Sequence, residues 1–389
     1  MLRELSARAV LAGVLAAFVG FASSFAVIIN GLTAVGATQQ QAASGLMALS
    51  IAMGVCGILL SLRRRMPISV AWSTPGAALL ATTGVVAGGF PAAVGAFLLT
   101  GVLIVLAGLF RPLGRWVAAI PAPLANAMLA GVLLNLCLAP VRAVAEAPAL
   151  GLPVVVVWAV VARLQRVYAV PASVLVAVAL IALTAHPDAA KLGSLWPALV
   201  PVWPVFTPAA VVGIAVPLFI VTMASQNIPG MAVLTVNGFR PPAAPLFRAT
   251  GIASVLAAPF GSHAVNLAAI TAAMCAGEDA HPNPARRYWA AATAGAVYVL
   301  FGLGAGAATG FLAASPPILI EAVAGLALLG AFGAAIMAAV ADPASHEAAV
   351  ICFLVTGSGV TLLGISGAFW GLVAGGAFLL LGRWRSAMR

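Results

Sequence analysis

The feature that most limits this chain is a succession of long apolar runs with almost no charge inside them. Runs of about 14 to 25 residues follow one another between short charged or proline-rich breaks. Only 7% of the 389 residues are charged and 63% are hydrophobic, whereas a soluble domain carries about 25% charged residues. Water cannot solvate such a surface, so the expected class is an all-α polytopic membrane protein in a lipid bilayer. The runs are continuously apolar rather than alternating, which argues against a β-barrel. The first run, about Ala7 to Asn30, is too long for a cleavable signal peptide and lacks a small-residue cleavage site.

Segments are expected near 8–30, 44–62, 73–83, 91–110, 121–139, 151–164, 170–185, 208–236, 245–258, 262–276, 287–312, 317–340, 346–362 and 366–382. That makes fourteen, and the third, sixth, ninth and tenth are too short to span alone. With the N-terminus inside, sixteen arginines fall in inner loops, against Arg142 and Lys191 outside. This asymmetry predicts cytoplasmic ends for both termini, in a bacterial-type inner membrane. It also accounts for the net charge of +10 without nucleic acid as a partner.

The longest break, 186–207, is rich in proline and carries Trp196 and Trp203, expected as interfacial anchors on the outside. Seven segments precede it and seven follow. An odd number per half turns any repeat upside down, so residues 1–185 and 208–389 are expected to be inverted repeats. Two short echoes fit this division. "ASSF" at 22–25 resembles "ASQN" at 224–227, and Ser73 and Thr82 register with Ser262 and Thr271.

Two segments are interrupted. In "PISVAWSTPGAALLATT" (67–83), strand formers lead into Ser73 and Thr74, which can cap, and Pro75 and Gly76, which suit a first helical turn. In "APFGSHAVNLAAITAAMC" (258–275), Gly261 breaks the chain, and a helix is expected from Ser262 with His263 and Asn266 one turn apart on one face. Both helices would begin inside the bilayer and direct their free N–H groups and positive dipole ends at a common centre. Such a centre suits an anion without a buried lysine or arginine. Simple close packing through small residues is the competing reading.

Other polar residues at membrane depth are few. Gln226 and Asn227 precede Pro229 in the eighth segment, and polar groups there must pair or line a cavity. Substrate contact and an interhelical hydrogen bond are the two alternatives. Interhelical bonding is the reading for Asn126 and Asn135. His263 and Glu321 are the candidates for proton coupling, against a packed neutral histidine and a solvated carboxylate. The arginines of "GEDAHPNPARRY" (277–288) are read as topology signals. Cys56, Cys137, Cys275 and Cys352 lie in apolar segments without ligand spacing, so no metal or cofactor is expected. No paired deep carboxylates, HExxH, GxSxG or phosphate loop points to an enzyme.

"AWSTPGAALL" (71–80), "ASQNIPGMAVL" (224–234) and "GSHAVNLAAITAAMCAG" followed by "AHPNPARRYWAA" resemble the signature segments of the BenE family of benzoate:proton symporters. More distantly the layout resembles the nucleobase–ascorbate transporter fold, which implies that segments 3 and 10 each pair a short strand with a half-helix. That resemblance implies a core domain of segments 1–4 and 8–11, about 8–110 and 208–312. It implies a gate domain of segments 5–7 and 12–14, about 121–185 and 317–382. Nucleobase relatives often carry glutamates in segments 8 and 10, where this chain places Gln226 and His263. Losing two negative charges suits an anionic cargo.

The expected function is therefore a secondary transporter importing benzoate or a related aromatic carboxylate with a proton, by alternating access. Ser73, Thr74, Pro75, Gly76, Gln226, Asn227, Ser262, His263 and Asn266 are the candidate ligands, with Phe21, Phe25 and Phe260 as the apolar wall. The alternatives are a nucleobase-like permease on the same scaffold and an anion channel. A homodimer is a further implication of the resemblance.

Overall fold

The computed structural model describes residues 6–22, 24–110, 121–184, 196–268, 270–314, 316–360, 362 and 367–387. The chain is mostly helical. Its helices are α1 (Ala7–Ala22), α2 (Phe25–Ala34), α3 (Gln39–Arg64), α4 (Thr74–Thr83), α5 (Gly89–Leu109), α6 (Ala122–Glu146), α7 (Pro148–Leu164) and α8 (Ala169–Thr184). After the described part of the central linker come α9 (Pro208–Val236), α10 (Ala243–Ala257), α11 (Ile270–Ala276), α12 (Tyr288–Leu303), α13 (Ala305–Ala314), α14 (Pro317–Ala339), α15 (His346–Gly357) and α16 (Gly367–Ala387). Two short strands, β1 (Val70–Trp72) and β2 (Val265–Leu267), precede α4 and α11. Among the described residues, seven helical stretches are long and apolar enough to cross a membrane, including Gln39–Arg64, Ala122–Glu146 and Pro208–Val236.

The helices gather into two bundles. In one, α3 packs on α10 and α12, α5 on α10, α1 on α11 and α12, and α2 on α4. In the other, α6 packs on α7, α14, α15 and α16, and α14 also on α7 and α8. Small residues let the first bundle close. A Cβ on Gly54 would lie 2.4 Å from the carbonyl oxygen of Gly295, and one on Gly295 would lie 2.6 Å from that of Gly54. Without a hydrophobic difference between helix and lipid, this close backbone approach is the main source of packing energy. The described end of the linker runs along the first bundle, with Val202 N–H donating to Pro259 O (2.7 Å) and Val205 N–H to Pro91 O (3.0 Å). Trp203 is 88% exposed, as an interfacial anchor requires.

Several expected elements differ. The first segment is not one rod: α1 ends at Ala22 and α2 begins at Phe25, with Ser24 between them at φ −146 and ψ −4. The eleventh is divided at Gly304 into α12 and α13. The tenth has the strand and half-helix that the resemblance implies, but not the helix from Ser262 that its own residues suggest. Residues 262–264 form no helix, β2 follows, and the helix begins only at Ile270. Ser262 therefore caps no helix, and His263 and Asn266 do not share a helical face. Gly261, at φ +88, turns the chain as expected, but the β-branched and polar residues after it extend rather than coil. Strand starts are 195 residues apart, from Val70 to Val265, so Ser73 does not register with Ser262.

The ninth helix shows what its prolines do. It widens to π-helical turns at Val211–Ala215 and Met223–Asn227. Pro217 and Pro229 follow these turns, and the carbonyls four residues before them, of Gly213 and Ser225, fall inside. A proline has no N–H for that carbonyl and its ring crowds it, so the ladder shifts register locally.

Candidate functional site

β1 and β2 pair antiparallel, with Val70 opposite Leu267, Ala71 opposite Asn266 and Trp72 opposite Val265. Ser73 N–H to Ala264 O (3.1 Å) and Ala268 N–H to Ser69 O (3.0 Å) extend the ladder at both ends. Each strand then leads into its helix, and the two chains run in opposite directions. The starts of α4 and α11 thus lie at opposite ends of one small sheet, each with its helix leading away from it. Neither segment is an unbroken rod.

A two-stranded sheet at membrane depth needs partners for its outer edges. The outer edge of β2 is closed by side chains. Asn227 Oδ1 accepts from Leu267 N–H (2.9 Å), and Ser254 Oγ accepts from Val265 N–H (2.8 Å). Asn227 is fully buried and its Nδ2 donates to Met223 Sδ (3.2 Å). Its amide is thus committed to the strand. On the outer edge of β1, the N–H groups of Trp72 and Thr74 meet no acceptor among the described residues.

The start of α4 is built as its sequence predicts. Ser73, fully buried, accepts from Gly76 N–H (3.1 Å) and from Thr222 Oγ1 of α9 (2.9 Å), and Pro75 occupies the first turn. Glycine at 76 leaves room for the cap: a Cβ there would lie 2.7 Å from Ser73 Oγ and 2.9 Å from Ser73 Cβ. Thr74 is half-buried and Pro75 and Gly76 are buried.

An aromatic cluster stands beside this strand. Phe21, at the end of α1, stacks on Phe25 at the start of α2, with centroids 5.6 Å apart and planes at 10°. Phe21 also meets Trp72 (5.4 Å) and Phe301 (4.9 Å), and Trp72 meets Tyr298 (6.3 Å). The indole Nε1–H of Trp72 donates to Ser24 Oγ (2.8 Å), which itself donates to Gly20 O (2.9 Å). The break in the first segment is thereby tied to β1. Trp72, Tyr298, Phe301 and Ser24 were not among the sequence candidates. The aromatic spacing in 288–303 carries no signal of its own, and only the fold brings α12 to β1.

The remaining candidates are dispersed. His263 is fully buried, its Nδ1 accepts from Ala264 N–H, and its ring stands edge-on to Phe97 of α5 (6.4 Å). His263 Nε2, Ser262 Oγ and Asn266 Oδ1 are buried without a hydrogen-bond partner among the described residues. Gln226 is half-buried, on the π-turn of α9. Phe260 is apart from the aromatic cluster and lines a groove between α3 and α10. Glu321 is exposed on α14. Asn135 donates to Gly357 O of α15 (3.4 Å), whereas Asn126 donates to Ala122 O within its own helix. Arg287 does more than mark topology. Only 4% exposed, it donates to Ala276 O at the end of α11 (2.8 Å) and to His281 O (2.7 Å), a cation placed where the helix dipole favours one.

Comparison with known proteins follows this geometry. The pattern of the family described as BenE, benzoate membrane transport protein, matches residues 3–381. The chain belongs to the benzoate membrane transport family. Members of this family are membrane transporters rather than enzymes. This transporter is 41% identical over 368 residues to inner membrane protein YdcO of Escherichia coli, covering 94% of this chain and 93% of that one. It is 32% identical over 392 residues to the benzoate membrane transport protein of Acinetobacter baylyi, covering 96% and 94%. Its fold is similar to that of the transmembrane domain of a cyanobacterial bicarbonate transporter, BicA, with a TM-score of 0.56 at 16% identity over 98% of this chain and 97% of that one. It is also similar to SLC26A9, with a TM-score of 0.62 at 12% identity over 96% of this chain and 65% of that one.

Proposed function

We propose that this transporter carries benzoate or a closely related aromatic carboxylate across the inner membrane together with a proton, by alternating access. The observation that carries the reading is the adjacency of two things an aromatic acid needs. The β1–α4 junction offers the N–H groups of Trp72 and Thr74 and a helix start. The Phe21–Phe25–Phe301 cluster beside it offers ring faces. Backbone donors and the positive end of a helix suit a carboxylate, and the ring would stack on Phe21 and Phe25. Thr74 and Gln226 are the side chains proposed to add hydrogen bonds. Ser73, Pro75, Gly76 and Asn227 shape the site from behind.

In the same reading the chain is two inverted halves, 1–185 and 208–389, joined by 186–207. The bundle holding β1 and β2 is the core, and the bundle around α6 and α14 is the gate. The two-bundle packing supports this division, as do the tryptophan-bearing linker and the arginine-rich loops, which keep both termini cytoplasmic.

The proton has two candidate carriers, and His263 is preferred because it sits beside the sheet while Glu321 faces outward. With Nδ1 accepting Ala264 N–H, a neutral imidazole would carry its proton on Nε2. A second proton on Nδ1 would break that bond at the residue whose carbonyl holds Ser73 N–H. Protonation would thereby reach the start of α4, and protein–substrate attraction would rise with the added charge.

Uptake of labelled benzoate by proteoliposomes tests this. Acid outside should drive accumulation above protein-free vesicles, and a protonophore should abolish it. His263→Ala should retain benzoate exchange while losing gradient-driven accumulation. Accumulation indifferent to the protonophore would remove the proton from the mechanism.

A further inference from the structure

The first bundle carries a groove that the transport site does not use. It runs between α3 and α10, has a volume of about 550 Å³, and is open along one side. Ala52 and Ala253 form part of its floor, and Leu59 and Leu256, 62% and 68% exposed, form its walls. Phe260 and Leu199 close one end, and Arg63 stands at the other. Arg63 is the one charged residue in the lining. It is exposed, and it has no hydrogen-bond or ion-pair partner among the described residues.

Its dimensions match one class of occupant. From Ala48 to Arg63 the groove follows α3 for fifteen residues, about 22 Å of helix. One leaflet of hydrocarbon is about 15 Å deep, so an acyl chain entering beside Arg63 can lie along the groove for its whole length. Arg63 sits in the last turn of α3 with Arg64, at the end that the positive-inside pattern assigns to the cytoplasm. Basic positions between transmembrane helices on that side attract lipid phosphates, and an arginine fork fits a phosphate better than a point charge.

We propose that this groove is a binding site for an anionic glycerophospholipid of the cytoplasmic leaflet, with one acyl chain between α3 and α10 and the phosphate on Arg63. Charge complementarity at a single end distinguishes it from ordinary contact with the bilayer. The lipid would bear on α3 and α10, both of which pack against β1 or β2. It would thus buttress the sheet from the side away from the aromatic cluster.

Native mass spectrometry of the full chain in detergent tests this, with phosphatidylglycerol and phosphatidylcholine of identical chains offered in equal amounts. The wild-type protein should retain phosphatidylglycerol preferentially. Arg63→Gln should reduce that retention about fivefold, and Ala253→Trp, which fills the groove, should reduce it further. Arg240→Gln, exposed and outside the groove, should leave it unchanged. Arg63 is on the surface, so Arg63→Gln remains informative even if Ala253→Trp does not fold. Equal retention of the two lipids, or an unchanged Arg63→Gln variant, would overturn the proposal. So would a dimer that only Ala253→Trp breaks, which would assign the groove to a second copy of the chain.

Discussion

Trp72 shows how much of this site depends on single contacts. Its indole is buried on the strand, packed at a tilt against Phe21 and Tyr298, and among the described residues its N–H is satisfied only by Ser24. Leaving a buried donor unmatched costs about 1–3 kcal/mol. Ser24→Ala should therefore lower the thermal midpoint of the purified protein by several degrees, and Trp72→Phe in that background should restore part of the loss. Additive losses in a double-mutant cycle would show that the two side chains do not interact. In the sequence Ser24 stands out only through the echo of "ASSF" at 22–25. Its partner is 48 residues away, and no local pattern links a serine at a helix break to a distant indole. The opposite holds for Ser73. Its cap on Gly76 was legible because the donor is three residues along and Pro75 marks the first turn. Arg287 lay between these cases: the sequence gives its place in a polar loop, while its burial against Ala276 O follows only from the fold.

The decisive element is the antiparallel pair β1–β2. The first strand could be read directly, since Ile68, Val70 and Trp72 alternate before a serine and a proline. The residues of the second suggest a helix, because a glycine followed by serine mimics a cap and His263 and Asn266 have helical spacing, and only the family resemblance implies a strand there. What overrides that pattern is tertiary: β1 supplies a ladder, and Asn227 and Ser254 close the far edge. Asn227 is thus a strand partner first. Asn227→Leu leaves Leu267 N–H without an acceptor at membrane depth and should cost about 1–3 kcal/mol, read as a lower thermal midpoint and lost uptake. An unchanged thermal midpoint in Asn227→Leu would show that the hydrogen bond to Leu267 N–H does not hold the strand. The π-turns ahead of Pro217 and Pro229 belong to the same scale. The prolines announced a distortion, but not that the helix would continue through it by widening.

At the scale of the whole molecule, composition points to lipid, where only helices and closed barrels hide their backbone groups, and the continuously apolar runs select helices. The helices pack as two groups, α6 with α14 and α3 with α10 and α12, and the proposed core and gate are assigned to them. A carrier that alternates between faces should show counterflow: vesicles preloaded with unlabelled benzoate should take up labelled benzoate faster than empty ones, with no gradient applied. Current through a planar bilayer far above carrier turnover would instead indicate a pore. The account as a whole rests on the carboxylate lying at the β1–α4 junction with the ring on Phe21 and Phe25. The most direct measurement is a structure of the protein bound to 4-iodobenzoate, located by the iodine. The account predicts the carboxylate beside the Trp72 and Thr74 N–H groups and the iodine beyond the Phe21–Phe25 pair. Iodine density remote from that pair, with the junction empty, would contradict it.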